Sequence, residues 1–312
     1  MGQRSDAKTI ENVRKELYLD KPLLTQFGLY LNDLSPIGIH NITEKEKYDF
    51  TSAIPIGTDK TIAVKTPYLR RSYQSKIKVW DLLVDAFPGT LLLALLSIII
   101  ATVVGISLGV LAAIKHNTWM DTSAVFTSVL GISAPSFFAG ILIAYIFGFL
   151  LSDYTGLSIV SPLWDYDPIL GKQLQLKSLI LPVVTLSIRP MAIITQITRT
   201  ALLDVLNQDY IRTAYAKGLR KKSVIWKHAL RNALNPVVTS VSGWFAELLA
   251  GSFFIEYIFG WKGIGKVTVD ALNKFDFPVV MGSVIFTATF FIVINILVDF
   301  LYAMIDPRIK NY

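Results

Sequence analysis

The chain has 312 residues, 53% of them hydrophobic and only 17% charged, against roughly 25% charged in an average soluble domain. It has no cysteine and three scattered histidines, His40, His116 and His228, which excludes disulfide frameworks, thiolate metal sites, thiol nucleophiles and a lipidated cysteine, and leaves no metal-ligand spacing. Net charge is +7, and in a chain this apolar a basic excess reports membrane topology before nucleic-acid binding.

Residues 1–87 read as a polar segment carrying 13 of the 30 Lys and Arg and no apolar run long enough to span a bilayer. Within it, Asp6 can cap a helix whose apolar face is Ile10, Val13 and Leu17. Pro22 suits the first turn of a second helix running to about Asn32, with Leu24, Phe27 and Leu31 on one stripe. Residues 35–79, rich in Ser, Thr, Pro, Gly and charge, read as irregular or short-strand structure. No basic start, apolar core and small-residue cleavage site occur in order, so the expectation is that these residues hold no signal peptide.

Residues 88–304 read as an all-α membrane domain. Residues 90–114 and 122–151 contain no Asp, Glu, Lys or Arg, and about 20 apolar helical residues cross a bilayer core ~30 Å thick. Five spans are expected, at about 88–114, 122–151, 179–198, 236–255 and 279–304. The 199–235 loop carries Arg199, Arg212, Lys217, Arg220, Lys221, Lys222, Lys227 and Arg231 against Asp204 and Asp209. Such an excess is cytoplasmic, which also puts Lys115 and the 305–312 tail inside and residues 1–87 outside. Five spans with the C-terminus inside leave that polar segment without an export signal. The expectation is therefore a further apolar helix ahead of Met1.

The 199–235 loop is the most informative stretch. Asp209 can cap a short helix over 210–217 that Gly218 ends, and Ser223 can cap a second over 224–234, stopping before Asn235-Pro236. Ala214 and Gly218 lie four apart, so one side of the turn is nearly bare backbone. A bare helix side suits docking into a protein groove; a solvated basic loop near lipid headgroups fits equally.

The run Asp209-Tyr210-Ile211-Arg212-Thr213-Ala214-Tyr215-Ala216-Lys217-Gly218-Leu219, followed by His228-Ala229-Leu230-Arg231-Asn232-Ala233-Leu234 and Pro236, resembles the cytoplasmic loop of permease subunits in binding-protein-dependent ABC importers. It is most similar to the dipeptide/oligopeptide/nickel branch. The general pattern of that loop is Glu-Ala-Ala, three residues, then Gly; this chain has Arg212-Thr213-Ala214 and Gly218, so the Glu is absent and one Ala has become Thr, a departure similar to that of the peptide branch. The resemblance continues through Glu256, Phe259, Gly263, Gly265, Ala271, Asp276 and Pro278, with Lys262 where the branch usually has Pro. It ends in Asn295, Asp299, Tyr302, Asp306, Pro307 and Arg308, and upstream it takes in Leu19-Asp20-Lys21-Pro22-Leu23 and Gln26-Phe27. Members of the branch begin with a transmembrane helix ahead of such an external segment, which agrees with the expectation of a preceding span. Residues 36–65 look like an insertion relative to shorter members.

Other motifs dissolve on inspection. Gly260-Trp261-Lys262-Gly263-Ile264-Gly265-Lys266 fits GxxxxGK, but Val267 stands where a magnesium-binding Ser or Thr belongs, and no buried strand leads in. No HExxH, GxSxG or carboxylate pair at helical spacing occurs in a span. Arg189, Glu247, Asn295 and Asp299 fall inside expected spans, where such residues face a bundle interior or a polar pathway, or snorkel near an end.

The resemblance implies a permease subunit without catalytic residues, cofactor or metal of its own, in a bacterial inner membrane. It implies a second, homologous permease subunit, two cytoplasmic ATPase subunits and an external solute-binding protein as partners, besides membrane lipid. Asp209, Tyr210, Arg212, Ala214, Lys217 and Gly218 would form the ATPase-coupling surface, and Arg189, Glu247, Asn295 and Asp299 would be pathway candidates. Peptides are the expected substrate, with nickel or another small solute as alternative. An ion-coupled secondary transporter would need inverted repeats and broken helices, and the sequence displays neither.

Overall fold

Alternating side chains build a sheet in the N-terminal third, and long apolar runs build helices in the rest. The computed structural model describes residues 11, 14, 17–56, 59–160, 163–167 and 171–305, without the side chains of 46, 164–167, 171–174, 250, 251, 299 and 301–305. The chain divides into two compact units, residues 1–85 with 271–284 and residues 86–270 with 285–312.

In the first unit, Pro22 precedes helix α1, Leu23–Leu34. The expected stripe of Leu24, Phe27 and Leu31 faces outward, while Asp33 on the other side is buried. Most of 35–79 is more regular than expected. Strands β1 (Ile37–Asn41), β2 (Phe50–Ile56) and β3 (Lys60–Lys65) form an antiparallel sheet in the order β1-β3-β2. Period-two alternation sends His40, Thr61, Ala63 and Lys65 inward and leaves Ile37, Ile39, Ile54 and Val64 exposed. The interior is polar but paired. The Asp33 carboxylate accepts hydrogen bonds from the hydroxyls of Tyr18 (3.2 Å) and Tyr48 (2.9 Å), and the Lys65 ammonium donates to the Asp33 carbonyl. His40 lies 4.1 Å from the Tyr48 ring. Asp276, from the later part of this unit, accepts from the backbone N–H groups of Tyr73 (3.0 Å) and Gln74 (3.3 Å) and from the Ser72 hydroxyl. Asp6, Ile10 and Val13, placed on a first helix from the sequence, lie outside the described residues.

The helices of the membrane body follow the apolar runs. Helix α2 spans Val79–Ile114, beginning earlier than the expected span and continuing through Pro88. The expected 122–151 span is broken: α3 (Trp119–Ser133) and α4 (Ser136–Tyr145) are set at 104° by the Ala134-Pro135 step. Proline lacks an N–H and pushes its predecessor out of helical geometry, and Ala134 is extended at ψ 129°. A broken helix is therefore present, contrary to the sequence reading. Helix α5 covers Ile180–Leu206, absorbing Arg199 from the expected loop. The loop contains α6 (Asp209–Ala216), and α7 (Leu230–Gly251), α8 (Ile264–Asn273) and α9 (Phe277–Ile305) follow.

Among the described residues, three helices are long and apolar enough to cross a membrane, and the bent α3–α4 pair makes up to four. The expected count of five is not reproduced. The expected 236–255 span is helix α7, 22 residues long, but Arg231, Asn232, Asn235 and Glu247 lower its apolarity. Nor does Asn235-Pro236 end a helix, because α7 runs through it. Ala233 and Val237 on either side are 1% exposed, so packing outweighs the missing hydrogen bond. The core gathers Leu93, Ile98, Leu186, Ile194, Val237 and Leu248. Along α2, Gly105 and Gly109 let the backbone meet Met191, Ile194, Thr195 and Thr198 of α5, where a Cβ would collide; small residues four apart are the usual close-packing device between membrane helices.

Candidate functional site

Helix α6 is short and carries the sequence run on which the resemblance rests. Its N-cap is Gln208 and no side chain caps it. Asp209, expected as the cap, is instead the first helical residue and reaches Arg212 at 3.4 Å, a favourable place for negative charge. Gly218 ends the helix as expected, at φ +77°, with the Leu219 N–H on the Ala214 carbonyl (3.3 Å) and the Gly218 N–H on that of Tyr215 (2.9 Å).

The two sides of α6 differ. Ile211 and Ala214, 1% and 8% exposed, pack with Val110, Ala113, Leu202 and Val224. Ala214 is therefore small because the helix seats on it, and it does not form the bare outward side expected from its spacing with Gly218. The outward side consists of Arg212, Tyr215, Lys217 and Gly218, beside exposed Leu219 and Trp226. Tyr210 is also exposed and accepts a hydrogen bond from the Asn232 amide at 2.8 Å. The helix after the loop starts earlier than expected: Arg220 precedes Lys221–Ser223, and a wide turn at Val224–Ala229 runs into α7, so Ser223 is no cap.

Beneath this loop lies an ion pair that the sequence reading missed. Asp121, 4% exposed, accepts from Arg199 through Nε and, at 2.8 Å, Nη2. It also takes the Asn117 N–H (3.0 Å) and contacts His116 Nδ1 (2.9 Å). Arg199 is thus committed to α3 and is no solvated loop charge. The available signal was Thr118-Trp119-Met120-Asp121 directly after an apolar run, the spacing of a helix start whose acid turns back to the preceding backbone.

The intramembrane polar residues separate. Arg189 on α5 and Glu247 on α7 line one cavity of about 120 Å³, together with Trp244 and with Ala134 and Ser136 at the helix break. The Arg189 guanidinium lies 5.5 Å from the Trp244 ring centroid. Both charged residues are exposed, and neither forms an ion pair or side-chain hydrogen bond among the described residues. Asn295 does not join them: its amide donates to the Phe291 carbonyl on its own helix at 2.7 Å. The side chain of Asp299 lies outside the described residues, as do Asp306, Pro307 and Arg308.

The near P-loop has a different occupant. Glu256 is fully buried and accepts from the Ser252 hydroxyl (2.6 Å) and the N–H groups of Gly265 (2.7 Å) and Lys266 (3.3 Å). The loop and the start of α8 cradle this internal carboxylate as such loops cradle phosphate. Burial pushes the Glu256 pKa up, and hydrogen bonds from Ser252, Thr90, Gly265 and Lys266 pull it back.

Residues 105–311 match the family described as binding-protein-dependent transport system inner membrane component. The chain is 37% identical over 306 residues to the dipeptide transport system permease protein DppB of Bacillus subtilis, covering 97% of this chain and 85% of that protein. It is 33% identical to DppB of Alkalihalophilus pseudofirmus (99% and 88% covered) and 40% identical to DppB of Escherichia coli K12 (77% and 76% covered). The fold is similar to a chain of the MetNI methionine ABC transporter in an inward-facing conformation, with TM-score 0.58 at 17% identity over 73% of this chain and 97% of that one. By matched length, by identity and by fold, this chain belongs to the family of inner-membrane components of binding-protein-dependent transport systems.

Proposed function

We propose that this permease forms, with a second and homologous permease subunit, the pathway of a bacterial importer that takes up di- or oligopeptides delivered by an external solute-binding protein. ATP is hydrolysed on two separate cytoplasmic subunits. The observation that carries this reading is the two-sided α6: its inner side is locked onto the ends of α2 and α5, and its outer side offers Tyr215, beside exposed Leu219 and Trp226, among basic residues. Apolar and aromatic groups ringed by charge make a docking surface, and a rigidly seated helix passes a push on that surface to the spans. Closure of the ATPases would then rock the spans between outward- and inward-facing arrangements. Peptide as substrate is supported by the three relatives named as dipeptide permeases.

Uptake of labelled dipeptides and of nickel by a deletion strain carrying this gene tests the reading. Peptide uptake that disappears when the partner ATPases are inactivated is expected. Uptake that instead follows an ion gradient with the ATPases inactive would replace it with an ion-coupled carrier, which the α3–α4 break would also suit.

A further inference from the structure

Among the described residues Arg189 and Glu247 form no ion pair, and isolated charges at membrane depth are rare unless they serve a substrate or ion path. They carry opposite signs, line one cavity, and still form no ion pair with each other. Each therefore keeps its capacity for a ligand. The Arg189 guanidinium lies over the Trp244 ring, 5.5 Å from its centroid, a cation–π contact, and a guanidinium with no ion-pair partner can grip a carboxylate through two parallel hydrogen bonds. Trp244 and Glu247 are three residues apart on α7 and so share one face.

We propose that this cavity reads both ends of a zwitterionic substrate: Arg189 takes the carboxylate terminus of a peptide, Glu247 takes its ammonium terminus, and Trp244 lies against the chain between them. This rests on the reading of the chain as a peptide permease and adds where the termini are recognised. A bare divalent cation would meet Glu247 but be repelled by Arg189, and a simple anion would meet the reverse. Only a molecule carrying both charges satisfies both side chains at once.

The test uses the complete importer with its binding protein and ATPases in proteoliposomes. ATP-driven uptake is compared for a free dipeptide, its N-acetylated form and its C-terminal amide, with blocked peptides chosen among those the binding protein binds. One binding protein serves every variant, so its own selectivity cancels when variants are compared. Glu247→Gln is expected to raise N-acetylated uptake relative to free peptide by roughly tenfold or more, and Arg189→Gln to do the same for the amide, the loss of one charged hydrogen bond in each case. Arg189→Lys, keeping the charge, should retain most discrimination against the amide. If either Gln variant lowers all three peptides by one common factor, the charges hold the protein together rather than read termini, and the inference falls while the permease reading stands. Unchanged uptake in both Gln variants would overturn it equally. Failure of the wild-type importer to move any of the three peptides would strike the peptide reading itself.

Discussion

Glu256 shows how one residue changes the meaning of a motif. The glycine spacing around it is that of a nucleotide loop, but the loop is filled from within, and a Cβ at Gly263 would fall on the Glu256 carboxylate. Gly263→Ala should therefore destabilise the protein by about 1–3 kcal/mol, the usual cost of overpacking. Lys266 pairs with Asp270 on the surface at 2.7 Å, with both side chains more than a third exposed or nearly so. Lys266→Ala should cost less than about 1 kcal/mol and leave ATP hydrolysis by the importer intact, the reverse of the order for a true phosphate loop. Thermal unfolding and ATPase rates of the two variants check both. A second residue, Lys65, sets a pH dependence for the first unit. Burial brings its ammonium down to about 8 from 10.5, with Asp33 opposing. Between those values the unfolded chain binds more protons than the folded one, so stability should rise with pH from about 8 until tyrosine ionisation near pH 10 intervenes. Protection factors of β3 amides between pH 7.5 and 9.5 should increase, and Lys65→Met should flatten that slope.

At the scale of elements, α6 invites a paired experiment on its two sides. Ile211→Ala empties a buried site and should cost about 2–5 kcal/mol of packing, loosening the seat so that ATP hydrolysis continues while transport falls. Trp226→Ala on the outside should leave stability within about 0.5 kcal/mol and weaken recovery of the ATPases with the purified permease. Gly218 has open space around it, so a side chain there strains only the backbone; Gly218→Asn, which tolerates positive φ, should keep more transport than Gly218→Leu. Asp121→Asn breaks a buried pair and should cost about 3–5 kcal/mol, read as a fall in melting temperature with α3 unfastened from α5. Much of this was legible: glycine punctuation gave the end of α6, and apolar length gave α2, α5 and α9. The exposure of Ala214 was misjudged because spacing says which residues share a face, but not which face has a neighbour. The α3–α4 bend was signalled by Ala134-Pro135, yet its uncharged flanks read as one uninterrupted span.

For the whole molecule, composition alone established a membrane protein, and the residues around α6 established the family. The span count was less secure because Arg231, Asn232, Asn235 and Glu247 lower the apolarity of α7, so length and composition do not mark it as a span. The sheet of the first unit was legible only as irregular or short-strand structure because its inward face holds His40, Thr61 and Lys65, so its alternation is not one of apolar with polar. That unit is also assembled from two distant pieces, 1–85 and 271–284, and this has a consequence for biogenesis. The Ser72–Gln74 turn receives its Asp276 carboxylate only after roughly 200 intervening residues have been made, about 10–40 s of synthesis at ordinary translation rates. Ribosome-bound chains stopped before residue 271 should therefore be cut by protease at that turn, while chains extended beyond residue 284 resist, and Asp276→Ala should keep even the finished protein in the sensitive state. The N-terminal third thus completes its folding only once residues 271–284 have been made, after residues 86–270 of the membrane body.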